Sequence, residues 1–298
     1  MNINFLRYSK IYYIFSGLLI LAAIFLVFIF GLKLGIDFLG GSILEIDFAN
    51  RPENKIIQEK LNEFNLGEIT IQPTGQNGVI LRMTEVNEET HQKIIQKLGE
   101  ISLVQEKRFE SIGPSIGKEL RQKTIILMVI SFLALLIYIA IAFRKVSRPL
   151  FSWQYGIISI IALIFDILIP IGVLALLGKL NNVQFNIPII TALLTILGYT
   201  INDKVIIFDR VRENILRSRG EDFESIVNQS LNQTLARSLS TGSCALLVLI
   251  SLFLFGGETL KYFSLILILG IIVGTYSSIF LASPLLVAWY HFRHRRRQ

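Results

Sequence analysis

Apolar residues dominate six long stretches of the chain, at about 11–32, 124–143, 157–177, 187–208, 241–255 and 262–290. A membrane-spanning helix needs roughly 20 mostly apolar residues, so each stretch is a candidate span and 241–255 is the shortest. Between the first two lies a polar segment, residues 33–123, with short changing periodicities. Leu44, Ile46 and Phe48 alternate as on one strand face, and Ile57, Leu61 and Phe64 repeat at helical spacing. Ile69 and Ile71 alternate again, and Gly75-Gln76-Asn77-Gly78 reads as a turn into Val79, Leu81 and Met83. Asn87 is placed to cap a helix carrying Ile94, Ile95 and Leu98, and a last strand is expected within Ser102–Phe109. The order β-α-β-β-α-β is that of a ferredoxin-like split βαβ domain. Such a domain defines no function, and this one holds no cluster of His, Cys and carboxylates, so docking is expected of it rather than catalysis.

The pattern predicts an α-helical polytopic membrane protein with six transmembrane helices and one α+β ferredoxin-like extracytoplasmic domain. Residues 1–32 are read as a cytoplasmic N-terminus and first helix, and 33–123 as the extracytoplasmic domain. Residues 124–290 form a five-helix bundle with a cytoplasmic connection at 209–240, and 291–298 a basic cytoplasmic tail.

Composition narrows the class. Of 298 residues, 52% are hydrophobic and 17% charged, against about 25% charged in soluble domains. That excludes a secreted enzyme, a disordered tail and a soluble nucleic-acid binder. The first apolar run exceeds the roughly 7–15 residues of a signal peptide, and no small-x-small cleavage site follows, so it is expected to be a permanent anchor. The net charge of +7 is a matter of topology. Arg7 and Lys10 precede the first span; Arg144, Lys145 and Arg148 lie between the second and third. Arg210, Arg212, Arg217, Arg219 and Arg237 fall between the fourth and fifth, and Arg293, Arg295, Arg296 and Arg297 after the sixth. The short connections on the other side hold only Lys179 and Lys261, which puts both termini in the cytoplasm. The tail His291–Arg297 is then suited to anionic lipid of the bilayer, not to nucleic acid. Cys244, the one cysteine, excludes an internal disulfide and a cysteine metal site.

Enzymatic motifs fail. Gly113-Pro114-Ser115-Ile116-Gly117-Lys118-Glu119 has three residues between its glycines and Glu after Lys, where a phosphate loop needs four and a Ser or Thr. His91, His291 and His294 cannot form a metal site with one another, and no Ser-His-Asp arrangement is present. No cofactor is expected. An ionisable residue in mid-membrane costs about 2.5–3.5 kcal/mol and calls for a reason. Asp166 lies in the third run and has no basic residue within that run, so its partner or proton must come from another helix. Asn202 and Asp203 lie in the fourth run beside Lys204, which is expected to snorkel. Asp209 and Arg210 are expected to begin a cytoplasmic helix over 209–219, with Val211 and Ile215 on one face and Gly220 as its cap. A second helix would place Phe223, Val227, Ser230, Leu231 and Thr234 together. Removal from water penalises a carboxylate's charged form, so an intramembrane acid can load and release a proton. One charge crossing 100 mV yields about 2.3 kcal/mol, the energy source expected where no ATP site exists.

Four blocks carry a family resemblance: Gly35-Ile36-Asp37-Phe38-Leu39-Gly40-Gly41; Gly113-Pro114-x-x-Gly117-Lys118-Glu119-Leu120; residues 202–214, Asn202-Asp203-Lys204 through Asp209-Arg210 to Asn214; and residues 230–238, Ser230-Leu231-Asn232-Gln233-Thr234 to Ser238. In order and over almost the whole chain, they resemble the SecF branch of the SecD/SecF family of Sec translocon accessory subunits. Two positions depart from the family pattern: Leu39, where a small polar residue is commoner, and Lys204, where Thr is frequent.

The resemblance implies the resistance-nodulation-division superfamily and half of a transporter, with SecD as the other half. It implies a bacterial cytoplasmic (inner) membrane location and assistance to export of unfolded preproteins through SecYEG, driven by protons. It implies Asp166, Asn202 and Asp203 as relay residues, with Arg237 and Arg210 as candidate cationic partners. Gly35, Asp37, Gly40, Gly41 and Asp209 are implied to be structural. Two alternatives stay open: a small-molecule or lipid transporter of the same superfamily, and a passive translocon scaffold.

Overall fold

The structure, a computed structural model, describes residues 3–142, 150–218 and 221–295. Arg144, Lys145, Arg148, Arg219, Gly220, Arg296 and Arg297, used above for topology or capping, lie outside the described residues. In chain order the elements are α1 (Ser9–Phe30), α2 (Ile36–Leu39), β1 (Gly41–Phe48), α3 (Asn54–Leu61), β2 (Thr70–Thr74), β3 (Gly78–Met83), α4 (Glu88–Gly99), β4 (Val104–Ile112), α5 (Pro114–Ala142), α6 (Ser152–Asn181), α7 (Ile187–Arg217), α8 (Phe223–Phe255), α9 (Glu258–Ser277) and α10 (Ser283–Arg295). They divide into two compact units, one of residues 33–127 with 184–187, the other of the remaining helices.

The first unit is a four-stranded antiparallel sheet in the order β2-β3-β1-β4. Leu44 lies opposite Leu81 on β3 and Phe109 on β4, so the period-two alternation gathers one apolar face. That face and the apolar stripes of α3 and α4 bury Leu44, Ile46, Phe48, Ile57, Leu61, Val79, Leu81, Ile94 and Leu98 in one core. Each such side chain contributes about 1.5–3 kcal/mol by leaving water. Asn87 caps α4, its side chain accepting from the Thr90 N–H at 3.0 Å. Strand β4 runs to Ile112, past the expected end at Phe109, because Ser111 still pairs with Ser42 and their hydroxyls bond at 2.8 Å.

Among the described residues, six helices are long and apolar enough to cross a membrane: Leu6–Phe30, Pro114–Ile139, Ser152–Asn181, Ile187–Arg217, Phe223–Phe255 and Leu260–Arg293. Helix α5 starts at Pro114, ten residues before the expected Thr124, since proline at the first helical position sacrifices no helical hydrogen bond. The connection read as two separate cytoplasmic helices is instead the continuation of two spans. Helix α7 runs unbroken to Arg217, and α8 from Phe223 through the fifth apolar run, because no proline separates the amphipathic and apolar parts and the lone Gly242 at the junction in α8 is tolerated inside a helix. Helices α6, α7 and the sixth span Leu260–Arg293 are buried to the same extent, whereas α1 and α8 expose apolar faces. Gly172 of α6 lies against Ala23 of α1, where a Cβ would fall 2.7 Å from the Ala23 Cα. A π-helical turn at Ser278–Ala282 joins α9 to α10, next to Pro284, which lacks the N–H for the Phe280 carbonyl.

Candidate functional site

Helices α6, α7 and α9 enclose a charged centre. Lys204 Nζ donates to Asp166 Oδ2 at 2.6 Å, and both side chains are 0% exposed. The same ammonium reaches the Thr200 carbonyl at 3.4 Å. Thr200 and Lys204 stand one turn apart on α7, so they share the face that meets α6. On α6, Pro170 cannot donate to the carbonyl of Asp166 one turn earlier, which leaves that backbone oxygen outside the helical ladder. Asp203 is also buried, at 1% exposure. The groups acting on its carboxyl are Lys204 and Asp166, Ser238 and Arg237 of α8, and Tyr199 of its own helix. Among the described residues, Asp166 Oδ1, Thr200 Oγ1 and Asp203 Oδ2 are buried without a hydrogen-bond partner. Buried polar atoms in that condition are exceptional in folded proteins and concentrate where chemistry or strain is held.

Two glycines of α9 make this enclosure. A Cβ at Gly270 would lie 2.2 Å from Ile196 Cδ1, and one at Gly274 2.0 Å from Thr200 Cγ2 and 3.8 Å from Asp166 Oδ2. Gly270 and Gly274 form a Gly-x-x-x-Gly pair, the spacing that lets two helix backbones approach within a bilayer. Both glycines and the role of Lys204 were missed by the sequence reading, although Gly-x-x-x-Gly inside an apolar run is a visible signal.

Several expectations need correction. Lys204 does not snorkel: its ammonium is inside the bundle, where the Asp166 carboxylate on α6 compensates its charge. Arg210 is not a partner of the buried acids. It bonds Gln233 at 2.6 Å and pairs with Glu213 near the end of α7. Arg237 is exposed, on α8 beside Ser238; it makes no ion pair with Asp166 or Asp203 among the described residues, but its charge acts on the Asp203 carboxyl at longer range. Asn202 is exposed, since two residues' rotation from Lys204 turns it away from α6. It belongs with Thr191, Thr195 and Gly198 to an exposed stripe of small and polar residues along α7. Asp209 is exposed too and pairs with Arg212 at 3.3 Å.

The Gly35–Gly41 segment lies in the sheet-containing unit, where its groups tie backbones together. The Gly35 N–H donates to the Phe185 carbonyl at 2.8 Å, and the Phe185 N–H to the Lys33 carbonyl at 2.6 Å. Asp37 Oδ2 accepts from the Ile187 N–H at 2.8 Å, satisfying an orphan donor at the start of α7. Gly40 has a φ of 81°, and a Cβ there would lie 2.8 Å from the Pro114 Cα. Gly117, in the second block, admits the Gly40 backbone nitrogen at 3.0 Å from its Cβ position.

The chain matches two family models, "Protein export membrane protein SecD/SecF, C-terminal" over residues 91–292 and "SecD/SecF GG Motif" over residues 25–50. Protein translocase subunit SecF from Thermobaculum terrenum is 40% identical, over 96% of this chain and 94% of its own length. The subunit of the same name from Anaerolinea thermophila is 37% identical, with the same coverage. Among solved structures, SecDF from Thermus thermophilus, a translocon-associated membrane protein, is 32% identical with a TM-score of 0.85 over 98% of this chain. This chain spans 39% of that one. A second SecDF crystal structure, in a super-membrane-facing form, gives a TM-score of 0.71 at 31% identity.

Proposed function

The chain belongs to the SecD/SecF family, and on that premise we propose that it is a non-enzymatic subunit of the Sec protein translocase that couples the proton motive force to export. It acts with SecD, alongside SecYEG, on unfolded preproteins. The observation that carries this reading is the buried centre: Asp166, Lys204 and Asp203 are all within 1% of full burial in helices of membrane-spanning length. Charges so placed are costly in a bilayer and mark ion or proton pathways. The stripe of Thr191, Thr195, Gly198 and Asn202 supports a second bundle as partner, because polar groups exposed on a span are better matched by another helix than by lipid chains.

The reading places the protein in the bacterial cytoplasmic membrane as a multi-pass protein. The distribution of Lys and Arg supports cytoplasmic termini and an extracytoplasmic 33–123 domain. That domain is ferredoxin-like in this reading, supported by its β-α-β-β-α-β order and the sheet order β2-β3-β1-β4. Protons are the only cofactor invoked.

The test is co-reconstitution with SecD and SecYEG in vesicles. An imposed proton motive force should increase preprotein export, and Asp203→Asn together with Asp166→Asn/Lys204→Met should remove the increase. Export that responds equally in all variants makes the chain a passive scaffold. Activity on small molecules or lipid without SecD makes it a transporter of the wider superfamily.

A further inference from the structure

The centre contains two carboxyls and one ammonium, and the geometry divides their work. Lys204 Nζ sits 2.6 Å from Asp166 and is held from behind by the Thr200 carbonyl at 3.4 Å. Asp203 has no basic group within ion-pair distance among the described residues, and its Oδ2 is buried without a hydrogen-bond partner. Gly274 closes the third side, 3.8 Å from Asp166 Oδ2 to its Cβ position, so Asp166 is enclosed by α6, α7 and α9. The charged and titratable groups facing Asp203 are Asp166 from α6, Lys204 and Tyr199 from α7, and Arg237 from α8, the last on an exposed position. With both acids ionised the centre carries one net negative charge; one bound proton makes it neutral, the form that a bilayer tolerates best.

We propose that Lys204 is a positioning residue that holds Asp166 as the fixed half of an ion pair, so that Asp203 is the one carboxyl of this centre that exchanges a proton. This deepens the proton-coupled reading and rests on it. In the step, a proton from the aqueous side adds to an Asp203 carboxylate oxygen, giving a neutral carboxylic acid, and leaves from the same oxygen in the reverse step. The Asp166–Lys204 pair keeps its protons throughout. The centre therefore takes up one proton per cycle, where a neutral residue at 204 would allow two.

Infrared difference spectroscopy of the full chain reconstituted with SecD reads this directly, as the carbonyl stretch of protonated carboxyls on acidification. Exposed carboxyls of both chains give a common background on acidification, so the readout is each spectrum minus that of Asp203→Asn/Asp166→Asn; wild type should leave one band, absent in Asp203→Asn. Lys204→Met should roughly double its amplitude, and adding Asp166→Asn to that variant should return it to the wild-type level. A band that survives Asp203→Asn, or an amplitude unchanged in Lys204→Met, overturns the assignment while leaving proton coupling intact. Absence of any band in wild type sinks proton exchange at this centre altogether. If Lys204→Met does not fold, Asp203→Asn alone decides, and Lys204→Arg must keep a single band.

Discussion

Removing the Lys204 ammonium should be among the most destabilising single changes in the helical unit, and removing both partners together should not. At 2.6 Å and an effective dielectric of about 20, the pair attracts by about 6 kcal/mol. Desolvating two ions opposes this by several kcal/mol each, so the pair adds little net stability. Lys204→Met keeps most of the volume but leaves Asp166 buried beside Thr200 with no cation, a change that costs about 3–5 kcal/mol. Asp166→Asn/Lys204→Met replaces both charges and should fall within about 1 kcal/mol of wild type or above it. Trp153 and Trp289 are in edge contact at 5.8 Å between α6 and α10, so their fluorescence reports unfolding of this unit in mild detergent at neutral pH. A Lys204→Met cost below about 1 kcal/mol, or a double variant as unstable as the sum of its singles, refutes the buried-pair account.

Three further outcomes are expected. Gly274→Ala should destabilise by about 1–3 kcal/mol, because its methyl would fall 2.0 Å from Thr200 Cγ2; Gly198→Ala, which meets nothing within 4 Å, should be neutral or stabilising by up to about 1 kcal/mol in the same unfolding assay. Asp37→Ala should cost about 1 kcal/mol and raise amide hydrogen exchange at Ile187, with Asp37→Asn retaining most of the protection. Hydrogen bonds from Gln92 and then His91 hold the Glu88 carboxyl below its ordinary 4.5, and Lys93 does the same for Glu89. A depressed acid stabilises the fold above its unfolded value and ceases to do so as pH falls through its folded value. Exchange protection of residues 88–99 should therefore decline below pH 4.5, and less steeply in Glu88→Gln; identical pH profiles would count against these bonds.

The elements were largely readable along the chain because their causes are local. Leu44, Ile46 and Phe48 alternate because a strand alternates, and they are buried on one face together. Asn87 caps α4 through an N–H three residues away. The misplaced boundaries have local causes as well: proline at position 114 looks like a breaker but also starts a helix, and the change from polar to apolar near 241 marks the edge of a span without ending the helix.

The charged centre has a different origin. That Asp166 needed a partner from another helix follows from the cost of an unpaired charge in a bilayer, and its own stretch of sequence offers no cation. Which cation meets it depends on which helix faces α6, and Lys204 is 38 residues away. The family resemblance pointed to Arg237 and Arg210 as cationic partners, each within one of its blocks. The choice was made by close approach: Gly270 and Gly274 let α9 press against Ile196 and Thr200, and the face of α7 bearing Lys204 is turned to Asp166. Periodicity and polarity are properties of neighbours along the chain, so they determined spans, strands and the need for compensation. Partner identity is a property of interhelical distance and rotation, and only packing of the folded helices supplies it.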